Sequence, residues 1–272
     1  MNRGQRVWIV VATLLLVALV GWLLWVRSTY GPDKTWERVL TTGVWRVGMD
    51  PSFPPFETLD ANGHPIGFDV DLANALVARW GVRVSFEGIG FDGLLDALQA
   101  GRVDAVLSAL PVDPRFARDV AYSIPYFEAG LVLAVPDGEV SVNGLDDLVQ
   151  RRVAVEWGSQ GDAQARELRR RLPRVEVVPY QTPDEALSAV VTSEADAALV
   201  DGVSARTFLG REGGIRIVEP PVVPDPYVIA VPIKASKLLQ AVNDGLVALR
   251  KDGTLAELER KWLGSGTPSR PE

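Results

Sequence analysis

The sequence predicts an α/β fold built on a mostly parallel sheet, and three observations predict it. Amphipathic helical stretches alternate with short apolar runs that read as strands. Glycines and prolines punctuate the boundaries between them. A helix-plus-strand pattern then recurs: Asp92, Leu95, Ala97, Leu98, Asp104, Ala105 and Leu107 match Asp184, Leu187, Ala189, Val190, Asp196, Ala197 and Leu199 at one constant offset. The recurrence suggests two lobes of similar build, with two unrelated generic α/β units as the alternative. At 272 residues the chain holds one large domain or two modest ones.

The elements follow in order. Val7 to Val26 is an unbroken apolar run without a charge, long enough as a helix to span about 30 Å. Arg3 and Arg6 precede it, which assigns residues 1–6 to the cytoplasmic side, and Trp8, Trp22 and Trp25 sit near its ends. An uncleaved transmembrane anchor over 7–26 is therefore expected. A cleaved signal peptide is the competing reading, although such apolar cores are shorter and end in small residues. Residues 27–43 read as a polar spacer. Val44 to Gly48 reads as a strand. Asp69 to Trp80 reads as a helix, with Val70, Ala73, Val77 and Trp80 at helical spacing and Gly81 as the stop. Val82 to Phe86 alternates as a strand. Asp92 is placed to cap a second helix carrying Leu94, Leu95 and Leu98, which Gly101 ends, and Val103 to Leu107 reads as a buried strand. A further helix is expected over Asp162 to Leu172.

Composition removes several functional classes. Hydrophobic residues make up 47% and charged residues 23%, ordinary for a folded core. A net charge of -7 without a basic stripe argues against nucleic acid. There is no cysteine, which excludes disulfides, thiol catalysis and a lipidated cysteine anchor. The single histidine, His64, sits in the turn-like Asn62-Gly63-His64-Pro65. No Ser-His or Cys-His arrangement, clustered metal ligands or cofactor motif is apparent.

The most informative stretch is Asp50-Pro51-Ser52-Phe53-Pro54-Pro55-Phe56-Glu57, followed by Gly67-Phe68-Asp69-Val70-Asp71-Leu72. Proline fixes φ and aromatics lose little entropy on docking, so such a loop is stiff and sets flat apolar faces beside a carboxylate. Together with Phe91-Asp92-Gly93-Leu94-Leu95, Val103-Asp104-Ala105-Val106, Tyr122-Ser123-Ile124-Pro125-Tyr126 and Asp252-Gly253-Thr254 to Trp262-Leu263-Gly264, this order of motifs resembles the extracellular solute-binding proteins of family 3, the amino-acid-binding type. The resemblance covers about residues 44 to 264. It implies a two-lobed periplasmic-binding-protein-like fold with a hinge, here preceded by one transmembrane helix. Lobe 1 is then expected from 44–135 and 225–264, lobe 2 from 136–224, and a tail from 265–272. Tyr126 to Val135 and Pro220 to Pro226 would be the two crossings.

Ligands in open α/β sheets collect at the carboxyl ends of strands. The positions expected there are Asp50, Phe53, Phe91 and Ser108 in the first lobe, and Glu156 to Gln160 and Asp201 in the second. The resemblance implies a ligand-facing aromatic at Phe53, an apolar wall at Phe91, a hydroxyl and amide pair at Ser159 and Gln160, an ammonium partner at Asp201, and an acid favouring cationic side chains at Asp50. Trp157-Gly158-Ser159-Gln160-Gly161 precedes a helix and could receive an anion there, or Ser159 could simply cap it. The arginine that usually clamps a ligand carboxylate falls on Phe116, with Arg115 one residue earlier, and a polar position expected to assist it falls on Pro111, which has no N–H. Either Arg115 takes over the clamp or the ligand is not a standard α-amino acid. The function implied is a membrane-anchored, extracytoplasmic solute-binding protein that delivers an amino acid or related amine to the permease of an ABC-type importer. A sensory ectodomain is the alternative, as is a periplasmic dehydratase or lytic enzyme on the same fold, for which Glu156 beside Trp157 is the one candidate acid.

Overall fold

The computed structural model describes residues 15–16, 19–21 and 34–264. In chain order the described elements are α1 (Thr35–Thr42), β1 (Val44–Met49), β2 (Thr58–Leu59), β3 (Pro65–Ile66), α2 (Phe68–Trp80), β4 (Arg83–Gly88), α3 (Leu94–Gln99), β5 (Ala105–Val106), β6 (Val120–Tyr122), β7 (Phe127–Glu128) and β8 (Leu131–Pro136). They continue with β9 (Arg152–Glu156), α4 (Gln160–Arg171), β10 (Glu176–Tyr180), α5 (Pro183–Val191), β11 (Ala197–Asp201), α6 (Gly202–Glu212), β12 (Ile215–Val223), β13 (Pro226–Tyr227), β14 (Ala230–Pro232), α7 (Ser236–Lys251) and α8 (Thr254–Leu263).

The strands form two five-stranded sheets of one design. The first runs β4-β1-β5-β14-β6 and the second β10-β9-β11-β8-β12. In the first, α2 and α3 carry the chain between parallel strands; in the second, α4 and α5 do so. Both therefore place the first strand of the unit between the second and third, and both add an antiparallel strand, β14 or β8, beside the third. The crossover helices pack on the sheets and bury apolar strand residues. The two-lobed, hinged architecture is the one that the sequence leads one to expect.

The lobes are joined by two antiparallel crossings. Phe127 pairs with Tyr227 and Glu128 with Pro226. Just beyond, Gly130 leaves no room for a side chain: a Cβ there would lie 2.0 Å from the Val223 carbonyl oxygen. Arg206 of α6 holds this ribbon, donating to the Glu128 carbonyl at 2.9 Å with its guanidinium 5.1 Å from the centre of the Phe127 ring.

The cores differ in kind. Beneath sheet 1, Trp45, Phe56, Phe68, Tyr126 and Phe127 are almost wholly buried with the aliphatic faces of α2 and α7. The two faces of sheet 2 are covered mainly by Val, Leu and Ala.

Four expectations change. The first stretch of lobe 1 is expected to run to 135, but Leu131–Pro136 pairs in sheet 2. The anchor expected over 7–26 is not supported: among the described residues no helix is long and apolar enough to cross a membrane, which takes about 20 apolar residues. Most of that run, like residues 1–6 and 265–272, lies outside the described residues. The transmembrane helix, the membrane as partner and membrane attachment, expected from that run, are therefore not carried further. Within the expected spacer, Thr35–Thr42 is helical, because Val39 buries completely in the lobe 1 core. Asp92 sits inside a short 3₁₀ turn, Phe91–Gly93, and Gly93 precedes α3.

Candidate functional site

The carboxyl ends of β1 and β5 lie side by side at the point where the strand order of sheet 1 reverses, where backbone groups and loops open outward. Asp50 follows β1 and Ser108 stands two residues past β5. The Ser108 hydroxyl accepts from the Asp50 N–H at 3.0 Å, which ties the two ends together. One Asp50 carboxylate oxygen accepts from the Phe91 N–H at 2.9 Å and so fixes the 3₁₀ turn beside it. In lobe 2, Glu156 ends β9, Gln160 opens α4, and Asp201 ends β11 and caps α6 by accepting from the Ser204 N–H at 2.8 Å.

Two adjoining cavities occupy this region. The first, about 320 Å³, is lined by Asp50, Phe53, Phe91 and Ser108 with Asp225 and Tyr227. The second, about 440 Å³, is lined from both lobes, by Phe53 and Pro54 on one side and Gln160 and Asp201 on the other. Phe53, Asp225 and Tyr227 belong to both, so the cavities meet on the second crossing. A larger hollow of about 640 Å³ lies between α5 and α6, lined by Tyr180, Asp184, Ser188 and Arg211 among others. Only lobe 2 contributes to it, so a ligand there would not couple to the hinge, and the cleft is the better site.

Below the first cavity lies a buried acid pair. The Ser108 hydroxyl donates to Glu57 Oε1 at 2.8 Å. Asp69 Oδ2 accepts from the Tyr126 hydroxyl at 2.9 Å and from the Ala109 N–H at 2.6 Å. Both carboxyls are about 1% exposed, and Glu57 Oε2 and Asp69 Oδ1 receive no hydrogen bond from a described group. One proton between them satisfies both oxygens. Burial, and then the Asp69 charge, push the Glu57 carboxyl far above the usual carboxylate range, so Glu57 carries that proton. Asp69 also helps to hold Ala109 at φ +41, a left-handed turn that an alanine adopts only when its surroundings impose it. That turn directs the chain from Ser108 to Pro111 along the cavity wall.

Of the residues predicted from sequence, Asp50, Phe53, Phe91 and Ser108 line the first cavity, and Phe53, Gln160 and Asp201 line the second. Glu156, Ser159 and Arg115 line neither. Glu156 is half-buried at the end of its strand. Ser159 caps α4, accepting from the Asp162 N–H at 3.2 Å, and the Gly158 N–H is taken by the Asp162 carboxylate, itself paired with Arg166 at 2.7 Å. Arg115 is turned out to solvent, its side chain 84% exposed and paired with Asp113 at 2.6 Å. Phe116 packs against the cluster that includes Leu94 and Leu98. Sequence reasoning assigned no role to Glu57, Asp69, Asp225 or Tyr227. Glu57, Asp69 and Asp225 stood in quoted stretches, as loop, helix start and crossing, with Tyr227 one residue beyond the last, and only tertiary pairing reveals their place.

Comparison with known proteins agrees with this architecture. The chain belongs to the bacterial extracellular solute-binding proteins, family 3, whose model matches residues 45–265. It is similar to the lysine/arginine/ornithine-binding periplasmic protein of Escherichia coli K12, 31% identical over 80% of this chain and 86% of the relative. Among solved structures it resembles an ancestral cationic amino acid solute-binding protein, with 33% identity, a TM-score of 0.58, and 84% of this chain and 99% of that one covered. It also resembles an ancestral cyclohexadienyl dehydratase, with 27% identity, a TM-score of 0.69, and 83% and 95% covered. The curated relatives are non-catalytic binding proteins, and this chain is a binding protein rather than an enzyme.

Proposed function

We propose that this chain captures an amino acid or related amine in the cleft between its lobes, outside the cytoplasm, and presents it to the permease of an ABC-type importer. The observation that carries the reading is the meeting of two cavities at Phe53, Asp225 and Tyr227, with lobe 1 and lobe 2 residues facing the same space. A solute held by Asp50, Phe53, Phe91 and Ser108 on one side and by Gln160 and Asp201 on the other gains its full set of contacts only when the lobes approach. Ligand then stabilises the closed form by the difference in contacts between the two forms, and the ribbon of β7 and β13 is the hinge. Phe53 and Phe91 remain exposed in the cleft, so covering them adds apolar burial to closure, at about 25 cal/mol per Å².

The names of several relatives support the ligand class, since they bind lysine, arginine, ornithine, cystine or histidine. Ser159 enters this reading as the residue that fixes the start of α4, and Glu156 as a carboxylate at the cleft's edge. Titration calorimetry of the purified chain against amino acids and amines, followed by small-angle scattering with the best ligand, tests the proposal. Binding with compaction is expected. A folded protein that binds no member of the panel would overturn it.

A further inference from the structure

The charges around the cleft are of one sign. Asp50, Asp201 and Asp225 line the joined cavities, and among the described residues that line them there is no Lys, Arg or His. Each of these carboxylates has capacity to spare. The Asp50 carboxylate accepts one hydrogen bond from Phe91 and that of Asp201 one from Ser204, while no described group donates to the carboxylate of Asp225, whose backbone carbonyl accepts from the Ala129 N–H.

The groups singled out by the sequence as receivers of a ligand carboxylate are already committed. The start of α4 is closed by Ser159 and by Asp162, a carboxylate that occupies the position an anion would take. The start of α6 is closed by Asp201. Arg115 is held away from the cleft by Asp113, which accepts from its backbone N–H and from its guanidinium. Pro111, on the wall of the first cavity, has no N–H to offer. An α-amino acid brings one carboxylate that must be desolvated on closure, and the described residues lining this cleft supply it no cation. A ligand with cationic groups and no carboxylate meets no such penalty.

We infer that the cleft is built for an alkyl amine or guanidine with two or more cationic groups and no carboxylate, and that Asp225, on the second crossing, binds one of those groups. The inference rests on the binding function proposed above and narrows it. Asp225 is suited to the task by position: it lines both cavities, and its backbone N–H is anchored to Glu128 Oε1 at 2.7 Å, so its carboxylate is presented from the hinge itself. An elongated dication reaching from Asp50 to Asp201 passes this residue.

Three matched pairs test the inference by calorimetry on the full chain: agmatine against arginine, cadaverine against lysine, and putrescine against ornithine. The members of each pair differ only by the carboxylate. At least one decarboxylated member is expected to bind tenfold or more tighter than its amino acid. Equal or tighter binding of the amino acids overturns the inference and leaves the binding function standing, as does capture of a neutral or acidic amino acid by a protein that ignores all six compounds. A folded protein that binds no solute at all overturns both. Asp225→Asn is expected to weaken the best dication about tenfold while leaving the melting temperature without ligand unchanged. Unaltered affinity in that variant removes Asp225 from the site.

Discussion

The two lobes carry the same clasp, and the contrast between its two copies separates scaffold from site. In lobe 1 the Arg46 backbone N–H donates to Asp104 Oδ2 at 2.9 Å, its Nη2 to Asp104 Oδ1 at 2.7 Å, and Nη2 again to the Gly101 carbonyl at 3.0 Å. In lobe 2 the Arg152 N–H donates to Asp196 Oδ2 at 2.8 Å, its Nη2 to Asp196 Oδ1 at 3.0 Å, and Nη2 to the Ser193 carbonyl at 2.9 Å. Each pins the first strand of its unit to the turn before the third. The surroundings differ: the Asp104 side chain is 2% exposed and also pairs with Arg38 of α1, whereas that of Asp196 is 27% exposed with one arginine. The shared clasp belongs to the α/β unit. What distinguishes the lobes is added around it, namely an aromatic core and a protonated acid pair in lobe 1 and a hydrocarbon core in lobe 2.

The clasp itself offers the largest test of this comparison. Asp104→Ala leaves two arginines facing an empty, buried position and is expected to cost about 3–5 kcal/mol. Asp196→Ala, in a more solvated setting, should cost about 1 kcal/mol. Urea unfolding of both variants measures the difference, and equal losses would mean that the added arginine and the burial do nothing.

The second test uses pH, because the buried acids of the two lobes respond in opposite directions. Glu57 holds its proton more tightly when folded than when unfolded, so its contribution is fully present below the ordinary carboxylate pKa and fades as pH rises toward its folded value. Glu57→Gln cannot ionise and keeps both an acceptor for Ser108 and a donor for Asp69. Its stability relative to the parent should therefore rise with pH, by at most about 1.4 kcal/mol per unit. Thermal melts between pH 5 and 9 check this, and parallel curves would show that Glu57 is already ionised in the fold.

The smallest effect belongs to lobe 2. Hydrogen bonds from Arg166 hold Asp162 below the usual carboxylate range, so its contribution is present above the unfolded pKa and is lost as pH falls through the folded value. Asp162→Asn is expected to lose about 1 kcal/mol at pH 7 and nothing measurable at pH 2. A loss that persists at pH 2 would mean that shape, rather than charge, makes Asp162 useful.

Much of the scaffold is legible in the chain because it is repeated. The constant offset joining Asp104 to Asp196 carries the acidic half of both clasps and both third strands, while Arg46 and Arg152 fall outside it, and it points to two like lobes. Strand limits are less legible. Val103 to Leu107 reads as a buried strand, yet only Ala105–Val106 forms one, because Asp104 turns to its arginines and Ser108 to Asp50. Cavity-lining residues within one motif, such as Asp50 and Phe53, stand together in the sequence. Asp225 and Tyr227 cannot, since a proline-rich crossing looks like a linker until Phe127 and Glu128 pair with it. Arg115 shows the reverse: Asp113, two residues away, captures a guanidinium that spacing alone leaves available.

The path of the chain through the sheets sets an order of assembly. All five strands of sheet 2 come from one unbroken stretch, 131–223, so that sheet can pair as soon as those residues exist. Sheet 1 begins earlier but must wait for β14, which enters between β5 and β6 and joins Ala230 to both Val106 and Tyr122. Until residue 232 has been made, β5 presents an unpaired edge and β6 has no partner. Contacts of such long sequence separation form late and slowly, and open edges invite pairing with other chains. The half of the molecule synthesised first is thus completed last, and truncation before β14 would leave lobe 1 unclosed while lobe 2 retained every strand it needs.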